Sequence, residues 1–219
     1  VTLTGLLHLK DNGIATIGGT VTDDTRLVEA LKQRDPAALS ELFETYADKL
    51  YRLAVNLLHD EQSADGVVQD TFIKLIEKVD GFEGRASLGT WLYRVAYNEC
   101  MMRLRKQRPQ VDLDAIDSEG FMPVNVSAWD DLPDAAALGR EALAEMRRAV
   151  EQLSPTLRAV FTLRDIEELS TKETANILRI SESNVKVRLH RARLQLREHL
   201  ANYFDDRTNS PDTAQGVNV

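Results

Sequence analysis

The sequence is poor in cysteine, in aromatic residues and in long apolar runs, and each shortage excludes a class of protein. The single cysteine, Cys100, excludes an internal disulfide framework and a cysteine-rich zinc site. The four histidines are scattered without metal-ligand spacing, so we expect neither a metal nor another cofactor. No window approaches the length of a membrane span, and Lys10-Asp11 interrupts the N-terminal leucines too early for a signal peptide. We therefore expect a cytoplasmic protein without membrane insertion.

The sequence also lacks an excess of basic residues. It carries 27 Lys and Arg against 35 Asp and Glu, which gives a net charge of −8. A protein that holds DNA unaided is usually basic, because phosphate contacts dominate its affinity. In this chain the basic residues are concentrated in two patches, within 103–108 and 186–197. This distribution predicts local contact with DNA that depends on a partner.

Apolar residues recur at helical spacing in most segments, and the alternation typical of strands is scarce. This pattern predicts an all-α fold with two helical domains joined by a flexible acidic linker. The chain has no phosphate-binding glycine loop and no nucleophile beside a base, so we do not expect an enzyme. The expected boundaries are a disordered N-terminal extension over 1–22, a four-helix domain over 23–108, the linker over 109–137, a second four-helix domain over 138–203 and a disordered tail over 204–219.

The most informative segment is 169–197. Ser170 and Glu173 form a capping-box pattern at the start of a short helix, and Ser181 is a second N-cap after a tight turn. The helix that follows has one apolar stripe and no acidic residue between Ser183 and Arg197. Short helix, turn and basic helix predict a helix-turn-helix whose second helix enters the DNA major groove. A basic helix face is also common on ordinary solvated surfaces, so this segment alone leaves both interpretations open.

Three segments, in order along the chain, resemble those of bacterial sigma-70 family sigma factors. Residues 65–72 (DGVVQDTF) resemble the polymerase-binding segment of that family. Residues 82–87 (FEGRAS) and 90–98 (TWLYRVAYN) resemble its promoter-melting and −10-reading segment, and residues 154–193 resemble region 4, which reads the −35 element. Because only the region 2 and region 4 domains are represented, the resemblance is to the extracytoplasmic-function (ECF) subgroup.

The resemblance implies a non-enzymatic subunit that binds core RNA polymerase, directs it to promoters through the −10 and −35 elements and assists promoter opening. It also implies contacts with the β′ coiled coil and the β flap of polymerase, with promoter DNA and with an anti-sigma factor. The acidic linker fits either a solubilising tether or a segment that threads polymerase near the RNA exit path. The alternatives are a stand-alone helix-turn-helix regulator and a protein that sequesters polymerase without initiation.

The resemblance also supplies candidate site residues, in types that suit each role. Mixed polar and apolar side chains suit a protein interface, asparagine and arginine read base edges, and tyrosine stacks on unpaired bases. Trp91 fits a core anchor as well as a DNA contact, and an acidic helix face can simply be solvated. The polymerase-binding set is Asp65, Val68, Gln69, Asp70 and Phe72. The −10 set is Arg85, Ser87, Trp91, Arg94, Tyr97, Asn98, Met101 and Arg105. The −35 set has Asn184, Lys186, Val187, His190 and Arg191 toward the groove, and Arg188 and Arg193 toward phosphates.

Overall fold

The computed structural model describes residues 21–107 and 140–208, which contain eight α-helices and no β-strand. The expected all-α class is confirmed, whereas the acidic linker and residues 1–20 of the predicted N-terminal extension lie outside the described residues. Among the described helices, none is both long and apolar enough to cross a bilayer. The helices are α1 Val21–Lys32, α2 Pro36–Leu58, α3 Glu61–Lys78, α4 Leu88–Gln107, α5 Arg140–Gln152, α6 Pro155–Phe161, α7 Thr171–Leu178 and α8 Glu182–Thr208.

Most helix starts carry the caps that the sequence indicates. Asp35 accepts a hydrogen bond from the Ala37 amide and precedes a proline at the first helical position of α2. Ser170 and Glu173 make both bonds of the capping box at the start of α7. The end of α8 differs from expectation, because this helix continues to Thr208 instead of giving way to a disordered tail at residue 204.

In the first domain, α2, α3 and α4 pack around a core in which Leu53, Leu92 and Tyr93 are fully buried. Helix α1 lies across this bundle and is joined to the start of α4, where the Leu88 amide donates to Asp24 Oδ2 at 2.9 Å. That amide belongs to the first turn of a helix and has no partner within it, so α1 caps α4 from outside. The start of α4 is therefore held by the fold as well as by its own sequence.

Helices α3 and α4 are held together by charged side chains that cross between them. The Arg103 guanidinium donates to Ser63 O and to Asp70 Oδ2, each at 2.6 Å. It reaches them by passing over Gly66, where an added Cβ would lie 2.7 Å from Arg103 Nη1. Because Gly66 has no side chain, the Arg103 guanidinium can occupy the space in which a Cβ would lie.

The second domain is built on α8, against which α5, α6 and α7 pack. Phe161 is fully buried at the end of α6, where a turn of π-helix, Thr162–Ile166, carries the chain toward α7. Two polar pairs tie α8 to the rest: His199 Nε2 lies 2.7 Å from Glu145 Oε1, and Arg193 makes two bonds to the carboxylate of Asp165, at 2.6 and 2.9 Å. These contacts orient the long helix.

The two domains pack directly against each other. Helix α4 lies against α7, and α2 lies against α6 and the π-helical turn. The contact is polar as well as apolar, because Glu167 of the second domain accepts hydrogen bonds from Arg52 and Tyr93 of the first. One side of α4 is therefore covered by the second domain.

We expect Gly66→Ala to destabilise the protein by about 1 kcal/mol, although alanine is the better helix former. The helical gain is about 1 kcal/mol, whereas displacing Arg103 costs two charge-assisted hydrogen bonds, worth roughly 2 kcal/mol together at this partly exposed site. Urea denaturation followed by circular dichroism measures the change. In an Arg103→Ala background the same substitution should instead stabilise, since only the helical gain remains. Stabilisation in both backgrounds would contradict the account.

Candidate nucleic-acid and protein interfaces

The exposed face of α3 is a mixed polar and apolar surface. Asp65 and Gln69 are exposed on it, followed one and two turns later by Ile73, which is 53% exposed, and Ile76, which is 42% exposed. These four positions share one side of the helix. Apolar side chains beside polar ones are typical of a protein-binding surface. Neither Ile73 nor Ile76 is among the binding residues predicted from the sequence.

Two residues of the predicted polymerase-binding set lie inside the domain. Val68 is 6% exposed and Phe72 is 7% exposed, and both belong to the hydrophobic core. The ring of Phe72 contacts that of Phe43, with centroids 5.1 Å apart, and Phe43 is 52% exposed. The apolar part of this surface is therefore offered by Phe43, Ile73 and Ile76, while Val68 and Phe72 support it from beneath.

Asp70 lies at the edge of the same surface and is already paired. Its carboxylate accepts a hydrogen bond from Arg103 while its side chain stays 43% exposed. The pairing holds the carboxylate in one position and leaves part of it open to a partner. The sequence did not reveal this pair, because its members are 33 residues apart on different helices.

The loop before α4 and the first turn of that helix contain three predicted −10 residues. Arg85 is exposed and pairs with Glu83 at 2.5 Å. Ser87 caps the helix, since its Oγ accepts from the Thr90 amide at 3.1 Å. Trp91 is partly buried and packs against the core, with Phe82 edge-on at 6.4 Å. Trp91 thus has the core contact of an anchor and an exposed part that faces outward.

Further along α4, Arg94 and Tyr97 are partly exposed, and Asn98 and Arg105 are exposed. Met101 was predicted on the same face but is only 5% exposed and belongs to the core. Helix α4 is packed between the first-domain helices and α7, so its open sector is narrower than on an ordinary amphipathic helix. The neighbouring Met102, which is 54% exposed, lies in that sector instead.

The helix-turn-helix is formed as the sequence predicts. Helix α7 ends at Arg179, whose φ of 56° turns the chain, and the Ile180 amide returns to Ala175 O at 3.1 Å. Ser181 then caps α8, because its Oγ accepts from the Asn184 amide at 3.2 Å. The predicted apolar stripe of α8 is buried: Val185, Leu189, Ala192 and Leu196.

The outward side of α8 contains most of the predicted −35 residues. Asn184 and Lys186 are exposed at its start, and Val187, Arg188, His190 and Arg191 are partly exposed. Arg193 is different, because both of its bonds to Asp165 keep its guanidinium on the second domain's own surface. A contact between Arg193 and a DNA phosphate, as predicted, would have to use the same guanidinium that is bonded to Asp165. Leu194, 49% exposed on the outward side, was not foreseen.

Two buried side chains of the first domain have pKa values well above their ordinary values. Burial raises the pKa of the Cys100 thiol to about 12, which keeps the sulfur protonated and unreactive. Burial, with the charges of Asp24 and Glu173 nearby, also raises the pKa of Tyr46 to about 12. Over the same residues, no group of three His, Cys, Asp or Glu side chains is placed to hold a metal ion. The candidate binding sites are the exposed faces of α3, α4 and α8.

Comparison with known proteins relates both domains to one family. The family profile "Sigma-70 region 2" matches residues 42–110, and "Sigma-70, region 4" matches residues 143–196. The ECF RNA polymerase sigma factor SigW of Bacillus subtilis is 33% identical over 176 residues, which are 79% of this chain and 94% of SigW. RNA polymerase sigma-H factor of Pseudomonas aeruginosa is 33% identical over 177 residues, which are 80% of this chain and 92% of that protein.

Solved structures show the same fold. CnrH, in complex with the cytosolic domain of CnrY, superposes with a TM-score of 0.60 at 24% identity, covering 82% of this chain and 97% of CnrH. The sigma factor RpoE of Bartonella quintana, in complex with the anti-sigma factor NepR, superposes with a TM-score of 0.56 at 26% identity, covering 74% of this chain and 96% of RpoE. With both domains matched and relatives covered over most of their length, the chain belongs to the ECF subgroup of the sigma-70 family of RNA polymerase sigma factors.

Proposed function

We propose that this sigma factor docks on core RNA polymerase through the exposed face of α3 and reads promoters with α4 and α8. The observation that carries the proposal is the presence, in one acidic chain, of two helices with open polar and basic faces on two different domains. Each lies in a segment that a sigma-70 region profile matches. The nucleotide chemistry then belongs to polymerase, and the chain acts in the bacterial cytoplasm, where polymerase and promoter DNA are.

The exposed face of α3 has the mixed polar and apolar composition of a protein-binding surface. Ile73, Ile76 and Phe43 expose apolar area next to Gln69 and Asp70. In protein interfaces, apolar side chains at the centre supply binding energy and polar side chains around them set the register. The resemblance that assigns 65–72 to the β′ coiled coil agrees with this placement. The exposed side chains, rather than the buried Val68 and Phe72, would make the contact.

The two reading helices have different chemistry. On α4, exposed Asn98 and Arg105 suit the edges of unpaired bases, and the ring of Tyr97 suits stacking. On α8, exposed Asn184 and Lys186 lie in the first turn and a half, the part of a recognition helix that reaches base edges in duplex DNA. This division agrees with a melted −10 element and a double-helical −35 element.

We also infer an anti-sigma partner. The similar sigma factor RpoE of Bartonella quintana was solved with the anti-sigma factor NepR, and this chain covers nearly all of that protein. The exposed apolar side chains of the first domain would suit such a partner, which would compete with polymerase for them.

Run-off transcription tests the function directly. Purified core polymerase with this chain should produce transcripts from a subset of promoters in fragmented bacterial DNA, and polymerase alone should produce none from them. Footprints by the chain alone at the same sites, without polymerase, would instead support a stand-alone regulator. If the chain binds polymerase but no fragment gives a transcript, the alternative of a protein that sequesters polymerase without initiation would be supported.

Substituting the exposed face of α3 should weaken polymerase capture with little effect on folding. The double variant Gln69→Ala/Ile73→Ser removes one polar and one apolar side chain that are exposed in the free protein. We expect the affinity for core polymerase, measured without DNA by fluorescence anisotropy, to fall at least about tenfold, the equivalent of about 1.4 kcal/mol.

The matched control is Met102→Ser/Gln107→Ala on α4. It also replaces one exposed apolar side chain and one exposed glutamine, but on the helix assigned to DNA. It should leave capture unchanged. Equal affinity for both double variants and the unaltered chain would refute the α3 assignment, provided that circular dichroism shows all three folded.

A further inference from the structure

The start of α4 is held by an aspartate of another helix. The Leu88 amide donates to Oδ2 of Asp24, which lies 64 residues earlier in the first turn of α1, at 2.9 Å. Leu88 is the first residue of α4, so its amide has no carbonyl partner within the helix. The next cap is local, because Ser87 Oγ accepts from the Thr90 amide at 3.1 Å. The first turn of α4 therefore depends on its own sequence for one cap and on α1 for another.

Helix α1 is a firm support for this contact. Its apolar side chains are buried in the core of the first domain: Leu27, Val28 and Leu31. On its exposed side, Arg26 donates to both carboxylate oxygens of Glu41 on α2, at 2.7 and 3.0 Å. The carboxylate of Asp24 is thus carried by a helix that is packed and paired on its own account, and it transmits the position of that helix to α4.

The loop that leads into α4 takes its position from its two ends. Its middle, residues 83–85, is exposed, and the ion pair of Arg85 with Glu83 lies within the loop itself. Upstream, the loop continues from a turn of 3₁₀-helix, Val79–Gly81, which ends the third helix of the bundle. Downstream, it enters the first turn of α4. The bond from Asp24 fixes this downstream end.

We propose that Asp24 is a positioning residue for reading the −10 element, acting through the Leu88 amide on the loop and on the first turn of α4. The inference rests on the proposed function of α4. Arg85 and Ser87 precede the capped amide by three residues and one residue, and Trp91 follows it by three. Groups that discriminate between bases must be held to within about 0.5 Å of their productive positions. Releasing the loop end would therefore reduce discrimination although no DNA contact is removed.

A cap that merely stabilised the fold would have a different signature. Lower stability reduces the amount of folded protein, and this affects every promoter alike. A displaced loop affects the bases that it contacts. Discrimination at the −10 element should then fall, while discrimination at the −35 element by α8 and capture of polymerase by α3 stay as they are. The comparison of the two promoter elements separates position from stability.

The test uses Asp24→Ala in the full chain with core polymerase. The probes are a promoter that the unaltered chain transcribes in the run-off experiment and fragments that carry single base changes in its −10 or −35 element. Discrimination is the ratio of transcript from the promoter to transcript from each changed fragment. We expect this ratio to fall by about threefold to tenfold for some −10 changes, a large part of what one wrong base usually costs. It should be unchanged for −35 changes, and the affinity for core polymerase should be unchanged as well.

The matched control is Asp35→Ala. Asp35 and Asp24 lie in the same domain, and each accepts one hydrogen bond of 2.9 Å from an amide at the start of a helix. Asp35 caps α2, away from the loop, so its removal should lower the stability measured in urea and leave −10 discrimination intact. Asp24→Asn is the conservative variant, because its amide oxygen can accept the same bond and asparagine caps helices as well as aspartate does. It should restore most of the discrimination.

The outcomes separate the positioning role from the proposed function. A loss of −10 discrimination that is confined to Asp24→Ala and restored in Asp24→Asn would support the proposal. If folded Asp24→Ala discriminates as the unaltered chain does, or if Asp35→Ala or the −35 ratio falls equally, Asp24 is a structural cap and the proposal is overturned. In those cases the unaltered chain still directs transcription. Absence of any transcript with the unaltered chain would instead overturn the proposed function, and the positioning role with it.

Discussion

A carboxylate removed from water must find partners, and in this sigma factor its partners lie on another domain. Glu167 is nearly inaccessible, and Arg52 and Tyr93 of the first domain satisfy it. An unpaired charge at that depth would cost several kcal/mol, so the second domain must sit where those two donors are. The position of α7 against α4, and hence of the start of α8, depends on this pairing.

Helix α4 contacts α3 on one side and the second domain on another, and its remaining side is exposed. Arg103 binds it to α3, the Tyr93 hydroxyl donates to Glu167 of the second domain, and Asn98 and Arg105 remain exposed. Because α4 is in contact with both α3 and the second domain, Met101 is buried even though its spacing places it with the residues predicted to contact DNA. In the described residues, Arg103 and Arg193 are paired with the carboxylates of Asp70 and Asp165, although the net charge of the chain is −8.

The local features of the fold were predictable from sequence because they depend on residues close together in the chain. The capping box of α7 and the Ser181 cap of α8 follow from residue type and spacing over a few positions. The roles of Arg103, Arg158 and Arg193 were not predictable. Their partners lie 33, about 100 and 28 residues away, and no pattern on one helix indicates which distant acid or carbonyl will meet it.

The exposed surfaces also depend on contacts between distant parts of the chain, which the sequence does not reveal. The family resemblance pointed to Asp65 and Gln69 on α3, but it did not show that Ile73 and Ile76 are exposed on the same face, because apolar residues in a helix are usually assigned to the core. Nor could it show that the two domains touch, since the chain between them carries no information about their contact. The family resemblance identified the roles of the segments, and the structure identified which side chains are available for them.

The distance between the domains tests the central claim most directly. Cysteines placed at exposed Gln33 and Gln195 accept a fluorescent donor and acceptor, and the native Cys100 is fully buried and does not compete. Energy transfer should be high in the unaltered chain and lower in a Glu167→Gln variant, because the substitution removes the charge that Arg52 pairs across the interface. Equally high transfer in the unaltered chain and in the folded variant would contradict the dependence of the domain contact on this carboxylate.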